Sequence, residues 1–230
     1  MTATGGQRRR LTAAVEARRA SRAYRGVLAL IVLSFLFSAT APDEPWTRGV
    51  LLLIQAATLA TALWRTREDP VRMPMLAIFA VVLLALVQIV AGGRALTLAT
   101  GVVSGLFVMV TIVVIARGVI RKGEINQESI IGAIGIYLLF GMLFTFAYAV
   151  IAMWGSQPFF AQGTDGTNAL RMYFSYATLC TVGYGDYTAA SNLGHTVAIS
   201  EALLGQLYLV TVVALLVSRV RPSAGGASPS

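Results

Sequence analysis

Glycine stands at alternate positions of the run Thr181-Val182-Gly183-Tyr184-Gly185-Asp186, and this run lies between two apolar segments each long enough to cross a bilayer. A backbone that alternates ordinary and left-handed conformations turns successive carbonyls toward one axis. Glycine enters the left-handed region without steric cost, so Gly183 and Gly185 supply the left-handed positions. The resulting ladder of carbonyl oxygens suits a dehydrated cation. Thr181 adds a hydroxyl at the inner end, and Val182 and Tyr184 are expected to point outward and pack behind the ladder.

The rest of the chain is built for lipid. Hydrophobic residues make up 57% of the 230 and charged residues 12%, about half the charge of a soluble domain. Mean hydropathy is +0.73. The single cysteine, Cys180, excludes an intramolecular disulfide. A net charge of +8 could suggest nucleic acid, but the basic residues cluster beside apolar spans, as membrane topology requires. No nucleic-acid partner is expected. The first apolar run follows a basic stretch and reads as a signal-anchor helix that stays.

Six spans are expected, at about 25–41, 48–64, 73–91, 95–116, 129–154 and 193–218. A seventh apolar stretch, 169–180, is too short to cross and reads as a re-entrant helix leading into the glycine run. With the N-terminus inside, 15 of the 18 basic residues fall on the inner side and only Arg48, Arg94 and Arg171 on the outer. That asymmetry puts both termini in the cytoplasm and the glycine run toward the outside. The expected organisation is a basic cytoplasmic segment over 1–24, a four-helix peripheral domain over 25–116 and a cytoplasmic linker helix over 117–128. A pore unit over 129–220 and a disordered tail over 221–230 complete it. In the N-terminal segment Leu11 and Val15 share one helix face, and the arginines suit a surface of anionic lipid.

Residues 117–220 resemble the pore module of potassium channels: outer helix, pore helix, filter and inner helix. The resemblance rests on Ala177-Thr178-Leu179-Cys180-Thr181-Val182-Gly183-Tyr184-Gly185-Asp186. The flanking runs Ile136-Tyr137-Leu138-Leu139-Phe140-Gly141 and Glu201 through Leu209 are similar to small bacterial six-span channels without a cytoplasmic domain. The resemblance implies an all-α membrane protein with six transmembrane helices, a re-entrant pore helix and a selectivity-filter loop. It implies assembly with three identical subunits as a homotetramer in the plasma membrane, the bacterial inner membrane. K+ is then the permeant ion, held by Thr181, Val182, Gly183 and Tyr184 with Gly185 completing the filter. No organic cofactor and no catalytic residue are implied, so the chain is not expected to be an enzyme. Gly205 falls at the inner-helix hinge glycine of the family, although a packing glycine is an equal alternative.

The departures are informative. Voltage-gated relatives carry an arginine at every third residue of the fourth span, whereas 95–116 has no charge. Each charge crossing the field contributes about 2.3 kcal/mol per 100 mV, so only weak voltage dependence is expected. Cys180 stands where the family often has Thr, Ala189 where it has Pro, and Tyr173 and Phe174 where voltage-gated relatives have Trp.

Glu201 is the single acid inside a span, and an ionisable group there marks a functional site. Its expected role is a hydrogen bond that fixes the pore helix, with Arg171, Ser175, Thr178 or filter backbone as partner; a gating proton site is the alternative. Asp186 is expected to anchor the filter through a pore-helix group such as Tyr173, or to concentrate cations at the mouth. Tyr173, Thr178, Cys180, Asp186 and Glu201 thus form the expected filter support. Cys180 is expected as a small buried residue below the filter. His195 should face water or headgroups, and Trp46 and Trp154 should sit in interfacial belts. Rival readings are an accessory protein with a vestigial pore, a subunit of a potassium uptake system, and a weakly selective cation channel.

Overall fold

The computed structural model describes residues 25–63, 83–87, 93–121 and 127–219. It is all-helical apart from isolated bridges in the loops. The numbered helices are α1 (Arg25–Thr40), α2 (Pro45–Leu63), α3 (Arg94–Arg121), α4 (Gln127–Trp154), α5 (Asn168–Leu179) and α6 (Asn192–Arg219). Among the described residues, four helices are long and apolar enough to cross a membrane, within α2, α3, α4 and α6. α1 is apolar but shorter. The span expected at 73–91 lies outside the described residues except for the helical stretch 83–87. α3 runs past the expected boundary at residue 116 through Arg121, and the next five linker residues lie outside the described set.

Uniformly apolar helices have no polar face to orient them, so buried contacts decide how they pack. Val27 and Ile31 of α1, Leu51 of α2, Val108 and Ile112 of α3 and Leu139 and Met142 of α4 form one core. α4 is the spine: α3, α5 and α6 all pack against it. A second core is aromatic. Tyr148 of α4, Phe159 and Phe160 of the following loop and Phe174 of α5 meet edge-on or tilted, with centroids 4.8 to 5.9 Å apart. Such ring pairs favour edge contacts, which lock the loop onto α5.

Candidate functional site

α5 starts and stops sharply. Thr167 caps its N-terminus, its hydroxyl accepting the Leu170 amide, and Cys180 caps the other end. The chain then turns back on the last carbonyls of the helix. The Thr181 amide donates to Thr178 O at 2.9 Å, and the Val182 and Gly183 amides both donate to Ala177 O, at 2.8 and 3.2 Å. In a trans peptide the carbonyl lies opposite the amide hydrogen. Three successive amides aimed at the helix end therefore aim the carbonyls of Cys180, Thr181 and Val182 away from it.

The dihedral angles follow the same alternation. Thr181, Gly183 and Gly185 have φ of +56°, +59° and +79°. Glycine accepts this freely, but threonine does not: a left-handed L-residue costs roughly 1–2 kcal/mol. The strain at Thr181 is held by the bonds on either side of it. Residues 181 to 185 are all exposed on the single chain, with Val182 at 50% and Tyr184 at 69%.

Behind the run, α5 and the preceding loop hold the chain through side-chain hydrogen bonds. Tyr173 Oη donates to Asp186 Oδ2 at 2.9 Å, and its ring stacks on Tyr184 at 6.0 Å between centroids. The bond to Asp186 raises the Tyr173 phenol above its ordinary pKa. Gln162 reaches over from the preceding loop: its amide nitrogen donates to Asp186 O at 2.9 Å, and its oxygen accepts from the Thr188 amide. One turn further along α5 the Tyr176 hydroxyl donates to Leu138 O of α4. Its ring lies so close to Gly141 that a β-carbon there would collide with it.

Glu201 is fully buried where α4, α5 and α6 meet. Tyr148 donates to Oε2, and Ser175 Oγ lies 2.5 Å from Oε1 and 2.8 Å from Gly141 O. Of the side chains considered from sequence, Ser175 is the partner. Arg171 instead gives Nη1 to the carbonyls of Asp165 and Gly166. A serine hydroxyl has one proton. It cannot donate to Glu201 and Gly141 together, so the junction closes fully when the carboxyl carries a proton and donates to Ser175.

α6 has two faces. Glu201, Gly205 and Tyr208, at helical spacing, turn inward. Tyr208 stacks on Tyr137 at 5.9 Å and donates to Ala133 O at 2.7 Å. A β-carbon at Gly205 would lie well inside van der Waals distance of the Leu179 carbonyl. This glycine is required by close approach, and α6 continues through it. Ile199, Leu203, Leu207 and Val210 occupy the opposite face and are 59 to 66% exposed.

Other expectations meet mixed outcomes. Cys180 is exposed on the single chain instead of buried, because it caps α5 at the open side of the loop; the Tyr137 hydroxyl reaches its sulfur at 3.5 Å. Thr178 contributes its carbonyl to the turn. His195 is exposed, with Nε2 2.7 Å from Ala189 O. Trp46 and Trp154 are exposed near helix ends. Sequence reasoning missed Tyr148, Tyr176 and Gln162, which hold Glu201, α4 and the Asp186 backbone from 24 to 53 residues away.

Residues 133–221 match a family model described as ion channel, a domain that covers α5, the glycine run and α6 with most of α4. Over 92 residues the chain is 32% identical to the inward rectifier potassium channel Kirbac3.1 of Paramagnetospirillum magnetotacticum. That stretch is 40% of this chain and 30% of the relative, so the chain spans under a third of that protein's length. No solved structure matches.

Proposed function

We propose that this chain is one subunit of a potassium-selective channel that conducts K+ passively across the plasma membrane of a bacterium. Four identical subunits surround one axis, and each contributes Thr181 to Gly185 as one strand of the filter. The observation that carries this is the left-handed alternation at Thr181, Gly183 and Gly185, coupled to three amides that bond back to α5. Carbonyls turned away from α5 supply oxygen toward an axis, and one strand cannot enclose an ion, so closure needs rotated copies. The exposed filter residues and the unpartnered apolar face of α6 support such assembly. The relative named as a potassium channel supports K+ as the cargo.

Residues 129–220 are the pore unit and 25–116 the peripheral domain of a six-span subunit. The expected concentration of basic residues opposite the filter supports cytoplasmic termini. α3 carries basic residues only at its ends, at 94, 117 and 121, which supports weak voltage dependence. Tyr173, Gln162, Asp186, Ser175 and Glu201 act as filter support. Potassium flux in liposomes holding only the purified protein tests the proposal. Flux that requires this protein supports it; no flux from an assembled, inserted protein leaves the accessory-subunit reading instead.

A further inference from the structure

A cavity of about 490 Å³ opens beside the N-terminal end of α5 and shares no lining residue with the filter. Its walls come from α1, α2, α3, α4 and the start of α5. Arg171 lines it and is 9% exposed. Its Nη1 is bonded to two carbonyls, but its buried Nε has no partner. No carboxylate pairs with Arg171 among the described residues. A buried guanidinium with an unpartnered N–H and no carboxylate in direct contact is costly, and a bound anion would relieve that cost.

The rest of the lining narrows the ligand. Arg48 lies on the same cavity, bonded to Asp43 at 2.7 Å and to the Thr97 hydroxyl at 2.9 Å. Asp165 is also in the wall, with Oδ1 holding the Phe159 amide. Among the described lining residues the charged groups are two arginines and two aspartates, and both signs together suit a ligand bearing both signs better than a bare anion. Below the rim, the lining continues along the helices through Leu51, Gly101, Val150 and Phe146. Phe146 lies eight residues, roughly 12 Å, inside the end of α4. A free phosphate would use only the rim, whereas an amphiphile would use the whole depth.

We propose that this cavity holds the headgroup and upper chain of one zwitterionic phospholipid, with the phosphodiester at the Arg171 guanidinium and the ammonium toward Asp43 and Asp165. The lipid belongs to the leaflet on the filter side. Guanidinium is the side chain suited to phosphate oxygens, and a buried bond to charge is strong. The site is independent of what the pore conducts.

Native mass spectrometry of the delipidated full chain, titrated separately with phosphatidylethanolamine, phosphatidylglycerol and inorganic phosphate, tests it. One phosphatidylethanolamine per chain should be retained, in preference to phosphatidylglycerol, and millimolar inorganic phosphate should not displace it. Arg171→Gln should weaken retention about tenfold or more. Because Arg171 also anchors a loop, Gly101→Leu provides a second test: Gly101 lines the cavity, a β-carbon there meets nothing within 4 Å, and the longer side chain is expected to take the lipid's space. It should weaken retention at least as strongly as Arg171→Gln. Retention by Gly101→Leu at the parent level would overturn the site. Equal or tighter phosphatidylglycerol binding would overturn the zwitterionic assignment, and displacement by inorganic phosphate would replace the lipid with a simple anion.

Discussion

Tyr148 of α4 donates its phenol proton to the Glu201 carboxyl of α6, and Ser175 of α5 meets the other oxygen of the same carboxyl. One buried acid thus ties together α4, α5 and α6. Removing it leaves the buried Tyr148 hydroxyl without its acceptor and Ser175 with the Gly141 carbonyl alone, at roughly 1–3 kcal/mol. We expect Glu201→Ala to lower the melting temperature of the assembled protein. Glu201→Gln should stay close to the parent, because its amide can donate to Ser175 and its oxygen can accept from Tyr148. If Gln is as damaging as Ala, an ionised carboxylate is required and the proton accounting at Ser175 is wrong.

Gly205 faces the Leu179 carbonyl with no room for a β-carbon. We expect Gly205→Ala to push α6 off α5 at roughly 1–3 kcal/mol, the usual cost of overpacking. Thermal unfolding of the variant measures this. An unchanged melting temperature with altered open probability would favour a hinge over a packing role.

Gly183→Ala should insert and assemble but carry little current, since alanine resists the left-handed φ of +59°. Flux per inserted protein separates this from loss of expression. Full flux from the variant would show that residue 183 does not need that conformation.

Tyr173 keeps its proton to higher pH than an ordinary tyrosine because it donates to Asp186. The stability from this bond is therefore present below the ordinary tyrosine pKa of about 10 and is lost as pH rises through the raised value. A difference titration of phenolate absorbance, parent against Tyr173→Phe, should reveal a group titrating above 10. A group titrating at the ordinary value would mean that the bond to Asp186 is not maintained in solution.

What could be read from sequence followed how local the physics is. Gly183 and Gly185 were legible because a backbone demand selects one residue type at alternate positions. Thr181 was not, because threonine disfavours the conformation it adopts, and only its flanking hydrogen bonds explain the exception. Glu201 was conspicuous as an acid in an apolar span, and Ser175 was among its candidate partners. Tyr148, 53 residues away on a helix with no polar face to set its rotation, gave no signal. Gln162 clamps the Asp186 and Thr188 backbone from a loop whose path depends on the aromatic core. Cys180 is exposed on the single chain because a capping position at an open loop, rather than its side-chain chemistry, sets its exposure.

The reversal potential of purified protein in a planar bilayer, with potassium on one side and sodium on the other, bears on the filter directly. A complete carbonyl ladder from Thr181 to Gly185 should place the reversal close to the potassium equilibrium potential. A reversal near zero, with current that depends on the protein, would contradict potassium selectivity and make the pore a general cation path.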